Sequence, residues 1–421
     1  MTTSYAGYAI DIGSTVIKRA RLEGGSVVEQ IFVQRDHAAG IPAQMATLLA
    51  QAPDYRDGDE VLLCSSANGG LRVGILCLTE KFSGAAVRNQ VLLAGANPTY
   101  VLEITAQARS SERVDILIIT GAIDDEDCAP MAERMASLDL SRFNFDALIY
   151  AGNRHLAASL KQRHGELHVV ANPIAGALRS ERDSVFEAVR DAYLKDLVHK
   201  EGVSELPATL TRNIRPTPEV VNRGFQQVIA NRSSIVAPGA SVVIDIGGAT
   251  TDLHYTVEIV RDDSEHHPNP GVSVARHVFA DLGIVASRDS TMLQLRTHPR
   301  VYEFLSVVLG SNVRDAYEAL REGEYNASAE LLAYGCLFIA FDRFGAGRGP
   351  GLPAAHLNRI SHLLMTGGAA QALDPDTTTR LLALFDGNEP VRPQVIVDNN
   401  YQLWIDGITA VSAPAGTASD R

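Results

Sequence analysis

Two short stretches carry residue types suited to holding phosphate. Tyr8 to Arg21 reads YAIDIGSTVIKRAR, and Val242 to His254 reads VVIDIGGATTDLH. In each, an apolar run meets an acid, Asp11 or Asp245, inside the tripeptide Asp-Ile-Gly. Small and hydroxyl residues follow: Gly13, Ser14 and Thr15 in one, Gly247, Gly248, Ala249, Thr250 and Thr251 in the other. Glycine lets backbone N–H groups approach a ligand with no Cβ in the way. A row of such groups plus hydroxyls suits phosphate oxygens. An acid at the strand end suits a hydrated Mg²⁺ shared with those phosphates. Lys18, on the first returning strand, adds a point charge that suits phosphate. Asp245 is placed to orient or deprotonate an attacking hydroxyl or water. Asp252 is a further candidate on the second returning strand.

Both acids need a buried strand, a tight turn and a returning strand behind them. The β-branched runs predict strands rather than helices. Residues 7 to 35 read as a three-stranded meander, followed by a helix over 41–52 and a strand at Val61 to Cys64. The Asn68-Gly69-Gly70 turn separates two apolar strands. Lys81 to Ala94 is helical and closed by Gly95. Strands follow at Val114 to Thr120 and Asp146 to Tyr150. The run Gly121-Ala122-Ile123-Asp124-Asp125-Glu126-Asp127 is an acidic turn, and Asp124 is its candidate ligand residue. Its alternative is a solvated loop feeding helix N-terminal charge. Residues 180 to 235 are mostly helical and broken at Arg215 to Pro218. His266-His267 lie in a polar loop with no acid or Cys at ligand spacing, so no metal site is read there.

Two such hairpins, far apart in one chain, resemble the actin, sugar-kinase and heat-shock-chaperone superfamily of ATPases. The resemblance implies an α/β fold of two tandem ribonuclease-H-like lobes with a nucleotide cleft between them. Leu363 to Gln371, LLMTGGAAQ, is similar to that superfamily's adenosine motif, a strand ending in glycines and opening a helix. Gly367, Gly368 and Ala369 would then pass close to base and ribose. Val169 to Leu178 resembles the inter-lobe crossing; Pro173 stands where the chaperone ATPases carry an acid.

The resemblance narrows further. Cys64 to Arg72 with Ala94-Gly95-Ala96, Tyr150 to Asn153, Pro216-Thr217-Pro218, Asp281-Leu282-Gly283 and Asp398 to Tyr401 are similar to the MutL family. These are accessory proteins of glutamate mutase, unrelated to the mismatch-repair protein of the same name. That family shows a glycine-rich turn where this chain has the acids from Asp124 onward. The implied lobes are 1–171 and 172–400, with 180–235 as a helical insertion and 401–421 as a closing helix and tail.

Composition narrows the partners. The 421 residues suit two lobes rather than one. A formal net charge of −13 offers no basic stripe for nucleic acid or anionic membrane. The longest apolar run, Leu331 to Phe341, is too short to span a bilayer. The four cysteines show no paired spacing and read as reduced thiols in a cytoplasmic protein. The expectation is therefore an Mg²⁺-dependent ATP- or GTP-binding ATPase. By resemblance it would be a chaperone-like accessory protein for an adenosylcobalamin-dependent mutase. The alternative is a small-molecule kinase, and a filament protein ranks below both.

Overall fold

The computed structural model describes residues 7–412 except 25, 53, 57–58, 60, 67–70, 125–126, 175–183, 200–202, 212–213, 231–238, 267–272, 350 and 388. The Asn68-Gly69-Gly70 turn, Asp125 and Glu126, His267 and the tail from Ala413 lie outside the described residues.

Strands β1 (Gly7–Ile12), β2 (Val16–Glu23) and β3 (Ser26–Gln34) form an antiparallel meander. Helix α1 (Gly40–Ala50) leads to β4 (Val61–Ser65), parallel to β1. The chain then leaves this sheet. It adds β5 (Arg72–Cys77), α2 (Ala85–Leu93), β6 (Asn97–Glu103), β7 (Arg113–Gly121), α3 (Ala129–Ser137), β8 (Asn144–Gly152), α4 (Arg154–Arg163) and β9 (His168–Val169). These strands make a second sheet, ordered β6-β5-β7-β8-β9, with every pair parallel. Parallel strands are covered on both faces and so read as unbroken apolar runs. Ile116 to Ile119 of β7 is such a run, buried throughout. Ile116 and Ile118 join the core of the first sheet, while Leu117 and Ile119 pack with Met131 of α3 and Leu160 of α4. The first and second sheets thus share one continuous core.

Next come α5 (Ser184–His199), α6 (Ala208–Thr211), β10 (Arg215–Pro216) and α7 (Thr217–Ala230). The stretch 180–235 does not stand apart as an insertion. Val185, Val189 and Tyr193 of α5 are buried in the first core, and β10 pairs with β4 as the fifth strand of the first sheet. The inter-lobe crossing expected at Val169 to Leu178 is made by α7 instead. The reason is topological: β9 completes the second sheet, and only after β10 does the chain reach the other lobe.

That lobe contains β11 (Ala240–Ile246), β12 (Thr251–Thr256) and β13 (Val274–Phe279), then helices α8 (Arg288–Thr297), α9 (Val301–Leu309), α10 (Val313–Glu322) and α11 (Ala329–Ala346). It finishes with β14 (Ile360–Thr366), α12 (Pro375–Leu382), β15 (Gln394–Val397) and α13 (Gln402–Ser412). The first sheet runs β3-β2-β1-β4-β10 and the third runs β13-β12-β11-β14-β15. Each is an antiparallel meander extended by two parallel strands. The fold is α/β, with two tandem ribonuclease-H-like lobes.

Helices α7 and α13 lie between these sheets. One face buries Val220, Trp404, Ile405 and Ile408 against Ala9, Ala20 and Leu62. The other buries Val221, Phe225 and Leu403 against Val243 and Leu364. Their backbones touch where glycines meet. A Cβ on Gly224 would lie 1.9 Å from the Leu403 carbonyl oxygen, and one on Gly407 would lie 1.9 Å from that of Val220.

Candidate functional site

The two Asp-Ile-Gly hairpins are built alike. The Gly13 N–H donates to the Val16 carbonyl (3.0 Å), and the Gly247 N–H donates to that of Thr250 (2.9 Å). Their tips meet across the cleft: a Cβ on Gly248 would lie 2.4 Å from Thr15 Cγ2. Behind the second tip, the N–H groups of Val285 and Ala286 both donate to the Gly248 carbonyl at 2.8 Å. This gives the Asp281-Leu282-Gly283 stretch a role, since it holds the backing loop against the hairpin.

A cavity of about 440 Å³ separates the lobes. It is lined by Asp11, Gly13, Ser14, Thr15, Lys18, Asp245, Gly247, Gly248, Ala249, Thr250, Gly367, Gly368 and Ala369, so most of the expected site converges there. Gly367 is required by its conformation, with φ +91° and Asp245 Oδ1 only 2.1 Å from where a Cβ would sit. The helix expected after these glycines is a single 3-10 turn, Ala370–Ala372, and α12 starts at Pro375.

The two acids differ in environment. Asp11 is buried and fully engaged. Its Oδ2 accepts from Lys18 Nζ (2.9 Å), and its Oδ1 accepts from Thr217 Oγ1 (2.7 Å) and Cys64 Sγ (3.4 Å). Burial alone would lower the Lys18 pKa, but the Asp11 and Asp245 carboxylates outweigh it and hold the amine charged. The ammonium also lies over the Tyr401 ring, 4.9 Å from its centre. Asp245 has no hydrogen-bond donor to its carboxylate among the described residues. Burial pushes its pKa up to about 6 against the pull of Lys18, with Asp252 and Asp11 adding to the rise. Asp252 contributes because it stands directly across the strand pair from Asp245.

Three expected site residues have other roles. Asp252 lines the cavity but is neutralised by Arg276, whose Nε donates to it at 2.8 Å. Arg276 also donates to the Leu92 carbonyl of α2, so the pair ties β13 to the second sheet. Thr251 is buried and donates its hydroxyl to the Leu282 carbonyl (3.1 Å), because strand alternation turns it away from Thr250. Asp124 lies outside the cavity. It accepts from the Arg154 N–H at the start of α4 (2.8 Å) and from Asn172 Nδ2 (3.4 Å). Asp127 likewise accepts from the Ala129 N–H at the start of α3. At Asp124 and Asp127 the acidic turn feeds helix N-termini.

Other groups at the site were not among the expected site residues, although Cys64, Thr217 and Tyr401 lie in stretches that carry the family resemblance. Thr217, Cys64, Tyr401 and Arg276 reach it through contacts between distant segments. Buried His254 also lines the cavity, its Nδ1 without a partner among the described residues. Burial, with Arg276 nearby, keeps that imidazole neutral. Asp398 caps α13 by accepting from the N–H groups of Gln402 (2.7 Å) and Leu403 (3.1 Å). Among the described residues no three His, Cys, Asp or Glu side chains converge as a metal-binding group, and no helix is long and apolar enough to cross a membrane.

Protein MutL of Clostridium tetanomorphum is 24% identical over 204 residues. That match covers 46% of this chain and 44% of the relative, so less than half of the relative's own length is spanned. Component A of (R)-2-hydroxyglutaryl-CoA dehydratase from Acidaminococcus fermentans is 12% identical, covers 97% of both chains and has a TM-score of 0.34. The activator of 2-hydroxyisocaproyl-CoA dehydratase from Clostridium difficile, with bound ADPNP, is 12% identical, covers 96% and 94%, and scores 0.33. The fold assignment therefore rests on the sheet orders described above. A family model described as "MutL protein" matches residues 8–418, nearly the whole sequence, and the chain belongs to that family.

Proposed function

We propose that the cleft binds ATP or GTP with Mg²⁺ and hydrolyses it, and that closure of the lobes drives an accessory, reactivase-type chaperone for an adenosylcobalamin-dependent mutase. The observation that carries the nucleotide reading is the pair of like-built hairpins facing one cavity, with Asp11 and Asp245 beside them. Phosphoryl transfer needs positioning and charge neutralisation rather than covalent chemistry. Ser14, Thr15 and Thr250 supply hydroxyls, and the glycines supply N–H groups. Lys18 is held charged for the phosphates. Mg²⁺ fits the residues present, because Asp245 is a partly buried carboxylate with no donor among the described residues. Asp11 and Asp245 would hold it through water, and it would neutralise phosphate charge when bound. Asp245, with its pKa near neutrality, orients or deprotonates the attacking water.

The mutase partner rests on family membership. The exposed residues of α5, Glu187, Asp191 and Lys195, are spaced four apart and form the outward stripe proposed as contact surface. A ligand shifts the lobe equilibrium only through differential affinity for its two states. Affinity for the mutase should therefore differ between the ATP and ADP forms, and the mutase should change nucleotide affinity by the same factor. Titration calorimetry of the purified pair in both nucleotide states tests this, and equal affinities would reject the switch. The second reading is a small-molecule kinase. It is favoured by the further polar groups on the cavity wall, Ser66, Asn97 and His254, whose Nδ1 has no partner among the described residues. No binding to a mutase, together with phosphorylation of a small acceptor, would establish it.

A further inference from the structure

The Asp11 carboxylate is joined to a hinge helix by a chain of buried donors. Asp11 and Cys64 are adjacent on paired parallel strands. The Cys64 thiol donates to Asp11 Oδ1 (3.4 Å), and the Trp404 indole N–H donates to Cys64 Sγ (2.9 Å). All three side chains are buried. Burial and the negative charge of Asp11 hold the thiol protonated, so the sulfur keeps its hydrogen to donate. Trp404 belongs to α13, and Tyr401, just before that helix, lies against Lys18, the cation paired with Asp11. Gly407, one turn on, is where α13 touches α7. Trp404 and Gly407 are three residues apart and so lie on one face of α13.

We propose that Cys64 is a positioning residue that couples the Asp11–Lys18 pair to α13 through Trp404, so that phosphate or metal drawing on this pair is felt at the lobe crossing. The coupling to ligand rests on the nucleotide reading above; the chain of donors does not. A bound phosphate competes with Asp11 for Lys18. That changes the charge facing the thiol, and with it the polarity at the indole N–H. Loss of one end should be transmitted only while a side chain that both donates and accepts stands at position 64.

The chain contains a single tryptophan, so its emission reports on Trp404 alone. Two measurements on the full-length protein separate the two claims. The first needs no nucleotide. Asp11→Asn should shift Trp404 emission in a Cys64 background, and the shift should fall by more than half in a Cys64→Ala background. Cys64→Ser, which keeps a donor, should restore it and serves as the folding control. The second is a titration with Mg-ADP, followed by emission and by calorimetry together. Emission should change on binding. In Cys64→Ala the change should be lost while affinity stays within roughly fivefold, the worth of one ordinary hydrogen bond. Equal Asp11→Asn shifts with and without Cys64 would overturn the coupling. So would calorimetric binding of Mg-ADP with unchanged emission of Trp404. Absence of binding of both Mg-ADP and Mg-GDP, with the Asp11→Asn result intact, would instead reject the nucleotide reading and uphold the link from Asp11 to α13.

Discussion

At the scale of residues, the site is organised by contrast between two like acids. Asp11 is saturated with donors, and Asp245 has none among the described residues. A buried carboxyl without donors favours its neutral form. The consequence for stability has a definite sign. The folded Asp245 holds its proton more tightly than the unfolded chain, so its contribution is full below the unfolded pKa of 3.8 and is lost as pH rises through about 6. Asp245→Asn removes the penalty of ionisation. It should stabilise the free protein by about 1–3 kcal/mol near neutral pH, with the gain vanishing towards pH 4. Urea unfolding of both proteins across this range checks it. The same variant should lower nucleotide turnover by at least about a hundredfold, the usual contribution of a general base. Unchanged hydrolysis would remove Asp245 from the mechanism.

At the scale of elements, the crossing of α7 and α13 carries the connection between lobes. Two glycines allow carbonyl-to-backbone contact there, where any side chain would force the helices apart. Gly224→Ala or Gly407→Ala adds one methyl group to a contact that has no room for it. Overpacking of this kind costs roughly 1–3 kcal/mol. Each substitution should lower the urea midpoint accordingly. Each should also weaken nucleotide-dependent closure, measured as the change in radius of gyration by small-angle scattering. A variant as stable as wild type that closes normally would show that the helices separate freely and do not act as a hinge. Arg276 makes a further cross-connection: it neutralises Asp252 within one lobe and donates to the Leu92 carbonyl of α2.

At the scale of the whole molecule, the cleft is shared between two lobes, with α7 and α13 packed between their sheets. A ligand bound to both lobes, and to neither when unfolded, stabilises the fold by mass action. Mg-ADP at a hundred times its dissociation constant should add about 2.7 kcal/mol to the unfolding free energy. Chemical unfolding followed by circular dichroism measures this. A gain confined to one of two separate transitions would mean that the ligand contacts one lobe only. The parallel second sheet packs with the first sheet into a single core, so residues 1–171 should unfold with that lobe.

Sequence by itself determined the parts that depend on short-range pattern. Two apolar runs entering Asp-Ile-Gly, each followed by small and hydroxyl residues, specify two turns of one kind. Their repetition specifies a duplicated fold, and the glycines of Leu363 to Gln371 specify a close backbone approach. Local pattern also places the acids that cap helices, although Asp124 and a ligand-binding acid look alike until Arg154 and Asn172 are in place. Tertiary structure alone decided the rest. The run Ile116 to Ile119 announces a strand buried on both faces, but not which sheet it enters. Thr250 stays in the turn while Thr251 opens β12, and the side Thr251 faces depends on where the strand begins to pair. Asp252 loses its candidacy to Arg276 on the neighbouring strand. Asp11 takes its partners from Cys64, Thr217 and, through the sulfur, Trp404. Those contacts close loops of tens to hundreds of residues, and a side chain chosen for a partner so distant leaves no periodicity of its own.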